Sequence, residues 1–402
     1  MQLSVIIVSY NVKYYLEQCL YAVLAACKNI QSEIIVVDNA SSDKSIDYVK
    51  PKFPQVIFIQ NELNTGFAKA NNKALQQAKG KYILYLNPDT IISEITITNC
   101  ISFLDEHDEA GAIGIKMIDG NGNFLPESKR SFPSVMASFF KLSGMAALFP
   151  HSSIFNKYAS GNLNENEIHE TDVLSGAFFL SGKETLLSLN GFDEDFFMYG
   201  EDIDLSYRIQ KAGCKNFYLG NNVIIHFKGE STQTDKQDYT KNFYGAMKIF
   251  VNKHYKNTSS ILLKAAITTS AALSSSGKKL KRFFSSAENK KANNSFILLG
   301  DEDATKSAEE ILLVNNLSYQ CVILSNETNY ECESLNVDPK LGKLQNVKLN
   351  IVFCTGELRY ASCIQFIQNN KNKFVYYWHY KNSASIISAT DIVAIPQIYI
   401  AT

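Results

Sequence analysis

The sequence predicts an α/β fold whose central sheet is mostly parallel and carries helices on both faces. Short apolar runs rich in β-branched residues alternate with segments of helical periodicity, and only a few residues connect them. The alternation starts at residue 3, is interrupted by a basic, serine-rich stretch, and resumes at Phe296. A chain of 402 residues has room for two domains. We therefore predict domains at 1–255 and 295–402, joined by residues 256–294.

The first strand is predicted at residues 3–9, where an almost wholly apolar run is typical of a strand buried on both faces. The same reasoning predicts helix 14–26, strand 33–37, helix 45–50, strand 56–60, helix 68–78 and strand 82–86. A later helix should begin at Glu201, because Leu205, Ile209 and Ala212 recur at helical spacing and Gly213 is a helix stop.

Polar side chains stand where three of the predicted strands end. They are Tyr10 and Asn11, Asp38 and Asn39, and Asn87 with Asp89. Each group alone is also compatible with a simple turn. Ligands of such sheets bind beyond the carboxyl ends of the strands, so together these groups predict one polar crevice. A glycine turn at residues 64–66 leads into a predicted helix whose first amides could receive a diphosphate.

The apolar residues that recur at helical spacing after Glu201 place Asp202 on the inward face of its helix. A carboxylate there must be paired, bound to a metal or catalytic, since burying it alone would cost on the order of several kcal/mol. The alternative is that Glu201 and Asp202 only favour the helix N-terminus through its dipole. Asp204 and Arg208 are four residues apart, which predicts a surface ion pair.

Composition excludes several classes of protein. The 39 basic and 40 acidic residues nearly cancel, which argues against nucleic acid as a partner. The eight cysteines contain no CxxC pair, so zinc-ribbon spacing is absent, and their scatter favours a reduced, cytoplasmic setting. The chain enters a strand at once and shows no basic region typical of a secretory signal.

Two segments between the regular elements are unusual. Residues 117–170 look irregular, and their apolar pieces at 139–140 and 145–149 are expected either to pack on the protein's own core or to contact lipid. No acidic residue occurs between Tyr239 and Ala287. This basic stretch is shorter than the roughly 20 apolar residues of a membrane span. It suits an amphipathic helix on an anionic membrane surface or a linker helix packed between domains.

The C-terminal residues predict a second, small Rossmann-like α/β unit. Its strands are expected at 296–300, 321–324, 349–354 and 374–378, and its helices at 304–316 and 357–369. The turn after Gly300 lacks the GxGxxG fingerprint, so no dinucleotide site is expected. A role in packing or in homodimer formation is the remaining expectation.

Seven motifs occur in a fixed order along the first 255 residues. They are VIIVSYN at 5–11, VVDNASSD at 36–43, NTGFAKANN at 64–72, LYLNPD at 84–89, LSGAF at 174–178, GFDEDFFMYGED at 191–202 and HFKGES at 226–231. This ordered set resembles the family 2 inverting glycosyltransferases of the GT-A fold, and in particular the rhamnosyltransferase-type enzymes of bacterial surface-polysaccharide synthesis. Any one motif alone is a weak signal.

The resemblance implies a binding site for a nucleotide-diphosphate sugar. The donor-binding residues would be Ser9, Tyr10, Asn11, Asp38, Asn39, Asn64, Gly66, Asn71, Asn87 and Asp89. Within this set, Asp38 would accept a hydrogen bond from the imide N–H of a uracil or thymine base. Asp89 stands at the last position of the family's DXD metal motif and His226 would lie beside it, so both are expected to bind Mg²⁺ or Mn²⁺. The first aspartate of that motif is Asn87 here.

The resemblance also implies the catalytic roles. Asp202 would be the general base that deprotonates an acceptor hydroxyl while the nucleoside diphosphate leaves from the opposite face. Gly176 and Glu201 would lie on the acceptor side, although we favour the alternative that Glu201 caps its helix. The implied reaction moves a sugar from a UDP- or dTDP-sugar, such as dTDP-rhamnose, to a polyprenyl-linked or growing glycan. The alternative, prompted by Asn87, is a binding scaffold that has lost turnover. The implied location is the cytoplasm, at the inner face of the plasma membrane if the basic stretch binds lipid.

Overall fold

Two large β-sheets organise the described part of the chain. The computed structural model describes residues 1–132, 160, 163–228, 236–255, 295–323 and 349–395. The first sheet has nine strands in the order β3-β2-β1-β4-β10-β6-β11-β5, with β8 paired to β11. Its strands are β1 Leu3–Ser9, β2 Ser32–Asp38, β3 Ile57–Gln60, β4 Tyr82–Leu86, β5 Thr90–Ile91, β6 Ala110–Ile118, β8 Ile168–Glu170, β10 Phe178–Gly182 and β11 Lys215–His226. Two short strands, β7 Lys129–Arg130 and β9 Val173–Leu174, form a separate ribbon.

The first four strands of this sheet run parallel, and the second half is mixed. Strand β10 is antiparallel to both of its neighbours, β4 and β6. Strand β11 runs parallel to β6 and ends antiparallel to the short strand β5. The mostly parallel α/β sheet predicted from the sequence is therefore confirmed, with an antiparallel strand inserted in its middle.

Helices cover both faces of the first sheet. They are α1 Lys13–Ala26, α2 Ser45–Val49, α3 Phe67–Leu75, α4 Thr96–Glu106, α5 Lys183–Ser188, α6 Glu201–Lys211 and α7 Lys236–His254. Strand β1 shows why both faces need cover, because all seven of its residues are buried. Val5 and Ile7 pack with α1 on one face, whereas Ile6 and Val8 pack with α3 and α6 on the other. Both layers exclude water from apolar side chains, which is the main source of stability.

The second sheet has six strands in the order β13-β12-β14-β15-β16-β17. They are β12 Ser295–Gly300, β13 Ser318–Ile323, β14 Asn350–Thr355, β15 Val375–Tyr380, β16 Ser385–Ile387 and β17 Ile392–Ala394. Helices α8 Glu302–Val314 and α9 Tyr360–Asn369 accompany it. Strands β12 to β15 are parallel and the last two are antiparallel. The predicted second α/β unit is thus present.

The two sheets share one continuous apolar core. Ile351, Phe353 and Trp378 of the second sheet belong to the same buried cluster as α1 and α4 of the first domain. Tyr21 of α1 stacks on Tyr380 with their ring centroids 3.6 Å apart. The second domain therefore packs directly on the outer side of α1.

Several expectations fall on residues outside the described ranges. They include the apolar pieces at 139–140 and 145–149, and the basic segment at 256–294. Within the described ranges, no helix combines the length and the apolar character needed to cross a membrane.

Candidate active site

The carboxyl ends of β1, β2 and β4 lie side by side. Ser9 pairs with Asp38 across β1 and β2, and Ile7 pairs with Leu86 across β1 and β4. Because the three strands are parallel, the residues that follow them emerge at one edge of the sheet. The structure thus brings together the three polar strand ends that the sequence singled out.

Asp38 is the most deeply buried carboxylate at this edge, with only 1% of the residue exposed. The backbone N–H of Ser41 donates to Asp38 Oδ2 at 3.1 Å. Oδ1 has no hydrogen-bond partner among the described residues, and neither has the buried hydroxyl of Ser9. Burial raises the pKa of Asp38, while the bonds from Ser41 oppose that rise. Asp38 therefore keeps one acceptor atom for a further donor.

Asn11 joins the loop after β1 to the loop after β2. Its backbone is left-handed, with φ +56°, and its Oδ1 accepts from the N–H groups of Ser42 at 2.7 Å and Asp43 at 3.3 Å. Tyr10 beside it is half-buried. The amide of Asn11 thus shapes the wall of the crevice, and Tyr10 keeps a partly exposed ring on it.

Asn39 links the β2 end to the glycine turn. Its Nδ2 donates to Asn64 Oδ1 at 2.8 Å and to the carbonyl of Gly66 at 3.1 Å, while its Oδ1 accepts from Thr65 N at 3.0 Å. Both ends of the Asn39 amide are therefore occupied within the protein. Asn71, one turn into α3, donates to Phe67 O at 2.9 Å and has no partner for its buried Oδ1 among the described residues.

Gly66 permits the close approach that closes this turn. Its φ is +84°, and a Cβ placed there would lie 2.5 Å from the carbonyl oxygen of Phe197. That oxygen accepts the N–H of Phe67 at 2.8 Å, which satisfies one of the first amides of α3. Any side chain at position 66 would push this contact apart.

Asp89 and His226 meet because β5 pairs with the end of β11. His226 pairs with Thr90, and the N–H of Phe227 donates to the carbonyl of Asp89 at 3.0 Å. The Oδ1 atom of Asp89 lies 3.4 Å from Nε2 of His226, and both residues are buried. The structure thus places together two residues that are 137 positions apart in the sequence.

Asn87 and Glu127 complete the surroundings of His226. Asn87 Nδ2 lies 3.3 Å from His226 Nε2. Burial raises the pKa of Glu127, but the charge of Lys228 and its hydrogen bond, 2.6 Å long, outweigh burial and lower that pKa overall. Glu127 was missed by sequence reasoning because it follows a turn in a segment with no periodic pattern.

Asp202 is the second residue of α6 and is paired with a residue that sequence reasoning also missed. Its Oδ2 accepts from Arg130 at 2.5 Å and from the N–H of Gly176 at 3.2 Å, and its Oδ1 accepts from the N–H of Ile203 at 2.8 Å. The ion pair is mostly enclosed, with side-chain exposures of 13% for Arg130 and 12% for Asp202. The inward-facing position predicted for Asp202 is confirmed, and its partner is a guanidinium.

Glu201 lies at the first position of α6 and is buried. Burial, followed by the nearby charge of Asp202, raises the pKa of its carboxyl group to about 8. Its Oε2 has no hydrogen-bond partner among the described residues. At neutral pH the carboxyl group of Glu201 is therefore neutral, next to the carboxyl group of Asp202 that is paired with Arg130. Two neighbouring carboxyl groups in such different surroundings can take separate acid and base roles.

The predicted ion pair between Asp204 and Arg208 is present, but the prediction that it lies at the surface is wrong. Asp204 is fully buried, and it accepts from Arg208 Nε at 2.6 Å, Lys253 Nζ at 2.9 Å and His254 Nε2 at 2.6 Å. Burial alone would raise its pKa, but these donors lower it to about 2. Lys253 also contacts Asp193. The cluster fixes α7 against the helix that carries Asp202.

A cavity of about 410 Å³ opens on the outer side of α3. Its lining consists of Asn61, Thr65, Lys69, Asn72, Lys73, Gln76, Asn190 and Glu194. That lining includes none of the residues predicted to bind the donor or the metal. The candidate site is therefore assigned from its polar groups and not from the volume of a cavity.

Residues 4–170 match the sequence profile described as Glycosyl transferase family 2. The N-terminal domain of this protein therefore belongs to that family. The α/β architecture agrees with the GT-A fold expected for the family 2 domain. The candidate site lies at the carboxyl ends of its parallel strands.

Curated relatives support the same grouping. The chain is 26% identical over 264 residues to N-acetylglucosaminyl-diphospho-decaprenol L-rhamnosyltransferase of Mycobacterium tuberculosis, covering 62% of this chain and 83% of the relative. It is 30% identical over 172 residues to rhamnosyltransferase WbbL of Escherichia coli, covering 40% of this chain and 61% of that protein. Among solved structures, residues 1–349 of TarS from S. aureus align with a TM-score of 0.43 and 19% identity over 78% of each chain.

Proposed function

We propose that the family 2 domain is a metal-dependent, inverting glycosyltransferase that uses a UDP- or dTDP-sugar. One observation carries this proposal. Buried side-chain atoms without hydrogen-bond partners in the described part of the chain recur at the residues expected to bind the donor, the metal and the acceptor. They are Ser9 Oγ, Asp38 Oδ1, Asn71 Oδ1, Asp89 Oδ1, Glu201 Oε2 and His226 Nδ1. In folded proteins nearly all buried polar atoms have a hydrogen-bond partner. The recurrence of atoms without one at these residues therefore favours a site that a ligand completes.

Asp38 is suited to the base of the nucleotide. Its Oδ1 is an acceptor without a partner among the described residues, at the end of β2. The imide N–H of uracil or thymine is a donor, whereas the same edge of cytosine presents an acceptor. A carboxylate therefore favours the first two bases. Ser9, Tyr10 and Asn11 would form the wall beside that base, and Asn39 with Asn64 would hold the turn facing the phosphates.

The residues at Asp89 fit a hard divalent cation. When ligand atoms lie about 2.1 Å from an octahedral Mg²⁺, two neighbouring ligand atoms lie roughly 3 Å from each other. The distance between Asp89 Oδ1 and His226 Nε2 is 3.4 Å, which is close to this value. The described residues contain no cluster of three or more His, Cys, Asp or Glu side chains able to hold a metal. The diphosphate and water would thus supply the other ligands. A bound Mg²⁺ or Mn²⁺ would neutralise negative charge on the leaving diphosphate.

Asp202 is the proposed general base. The bonds from Arg130 and from the N–H of Gly176 fix the direction of its carboxyl group. A hydroxyl of the acceptor that hydrogen-bonds to this carboxylate would lose its proton as its oxygen attacks the anomeric carbon. The bond from that carbon to the diphosphate breaks on the opposite side, so the configuration inverts. Glu201, neutral at pH 7, would donate a hydrogen bond on the acceptor side.

The acceptor is proposed to be a lipid-linked or growing surface glycan. This part of the proposal rests on the names of the relatives, which act on a diphospho-decaprenol acceptor or transfer rhamnose. It places the protein on the cytoplasmic side of the membrane, where such acceptors and nucleotide sugars meet. dTDP-rhamnose is the first donor to test.

A thermal-shift panel tests the proposal. Wild-type protein and Asp38→Ala are each heated with UDP-, dTDP- and GDP-sugars, with Mg²⁺ or Mn²⁺ or with a chelator. We expect a metal-dependent rise in melting temperature with one pyrimidine-nucleotide sugar, because binding to the folded state stabilises it by mass action, and a smaller rise in Asp38→Ala.

Transfer assays with the stabilising donor then separate an enzyme from a binding scaffold. Binding without transfer to any polyprenyl-linked acceptor would favour the scaffold that Asn87 suggests. The absence of stabilisation by any pyrimidine-nucleotide sugar would contradict both the enzyme hypothesis and the scaffold hypothesis.

A further inference from the structure

We infer that the second domain is a positioning part of the active site. It holds the loop at residues 87–90, here called the metal-site loop, together with the adjoining end of β11. This inference rests on the proposed function, because the loop carries Asp89. The second domain reaches it through two side chains of the first domain, Glu94 and Tyr15.

Glu94 connects the strand after the metal-site loop to the start of α9. Its Oε1 accepts from the N–H of Tyr360 at 2.7 Å and its Oε2 accepts from the N–H of Ala361 at 3.1 Å. These are the first two amides of α9, whose own N-cap residue, Arg359, provides no side-chain bond. A carboxylate at a helix N-terminus gains from both the orphan amides and the helix dipole. Because Glu94 follows Asp89 by only five residues, fixing it limits the movement of the metal-site loop.

Tyr15 connects the second domain to the end of β11. Its hydroxyl donates to the carbonyl of Ser388 at 2.8 Å, and its ring lies 5.3 Å from that of Phe227. Phe227 follows His226 and donates its N–H to the carbonyl of Asp89. A single tyrosine thus links Ser388 to the segment that holds the two expected metal ligands together.

Helix α1 is a third connection between the second domain and the metal-site loop. Its outer face is fixed by the second domain, where Gln18 donates to Ser383 Oγ at 2.9 Å. The next residue, Cys19, points inward and lies 3.6 Å from both the carbonyl of Asn87 and the hydroxyl of Thr90. Helix α1 is therefore held on one side by the second domain and contacts the metal-site loop on the other.

Hydrogen exchange tests the mechanical part of the inference without any ligand. Glu94→Gln removes the charge from the first contact, and Tyr15→Phe removes only the hydroxyl from the second. Peptides that cover residues 87–95 and 220–228 should exchange faster in both variants, because local opening becomes easier. Asp303→Asn is the matched carboxylate control, since its partner Lys381 belongs to the same domain. Tyr14→Phe is the matched hydroxyl control, since Tyr14 packs on Tyr48 of the first domain.

Manganese binding tests the consequence for the site. The dissociation constant of Mn²⁺ is measured by electron paramagnetic resonance in the presence of UDP or dTDP. We expect Glu94→Gln and Tyr15→Phe to raise it roughly 3- to 10-fold, less than the 10- to 100-fold typical of residues that bond a metal ligand directly. Glu94→Asp retains the charge and should recover part of the affinity, which also guards against a folding defect in Glu94→Gln.

The outcomes separate this inference from the proposed function. Exchange as slow as in the wild type in both variants would overturn the inference. Faster exchange with an unchanged Mn²⁺ constant would overturn it too, because the contact would then not position the site. A wild-type protein that binds no Mn²⁺ with either nucleotide would contradict the proposed function, and the exchange rates would still decide whether the second domain holds the loop.

Discussion

The carboxyl group of Glu201 should make the protein less stable as the pH rises. The residue is 7% exposed, and burial, followed by the charge of Asp202, raises its pKa from 4.5 to about 8. Between these two values the folded protein keeps a proton that the unfolded chain has lost. The free energy of unfolding then falls by about 1.4 kcal/mol for each pH unit. This contribution is fully present below pH 4.5 and is lost once the pH has passed 8.

Glu201→Gln removes this titration while keeping the size of the side chain. Relative to pH 5, the variant should gain up to roughly 3 kcal/mol over the wild type by pH 7. Urea unfolding followed by circular dichroism at pH 5, 6, 7 and 8 measures the difference. Glu127→Gln is the control of opposite sign. Burial raises the pKa of Glu127, but Lys228 outweighs burial and lowers that pKa overall. The contribution of Glu127 to the stability of the folded protein is therefore present at neutral pH and is lost on acidification.

Parallel stability curves for Glu201→Gln and the wild type would refute this reasoning. They would mean that Glu201 is ionised in the folded state despite its burial. The neutral carboxyl group proposed for the acceptor side would then be excluded.

Four further results are expected. Asp202→Asn should keep the thermal shift given by the donor and lower transfer by about 10²- to 10⁴-fold; transfer at the wild-type rate would exclude Asp202 as the base. Asp38→Ala should weaken nucleotide binding by roughly tenfold, measured by calorimetry, because a hydrogen bond to a charged group is lost. Asp204→Ala should lower the free energy of unfolding by about 3–5 kcal/mol, since it leaves buried cations without their partner; a loss below 1 kcal/mol in urea would contradict the buried cluster. EDTA should abolish the donor-dependent thermal shift and added Mn²⁺ should restore it, whereas an unchanged shift would exclude a metal at Asp89.

Local sequence patterns predicted the first half of the sheet well. Strand β4 occupies residues 82–86 as expected, and the predicted strand at 3–9 has those same bounds. Runs of apolar, β-branched residues are sufficient to predict these strands, because such runs are typical of strands buried on both faces. The polar ends at Asp38 and Asp89 follow directly from those strands.

The rest of the site depends on partners that are distant in the sequence. Arg130 and Asp202 are 72 residues apart, and Asp204 and His254 are 50 apart. Spacing within one helix predicted Asp204 to be exposed, since the pattern contains no information about α7 packing over it. His226 was assigned beside the metal only through the family resemblance, because its strand pairing cannot be deduced from local composition.

The contact between the two domains also sets an order of events during synthesis. Gln18 leaves the ribosome 365 residues before Ser383, its partner. At about 5–20 residues per second this interval lasts tens of seconds. During that time the outer face of α1, which includes Tyr21, lacks the second domain that covers it. A chain released at residue 255 would keep this face uncovered. Its yield of soluble protein, compared with that of the chain of 402 residues, would measure how far the first domain depends on residues 256–402.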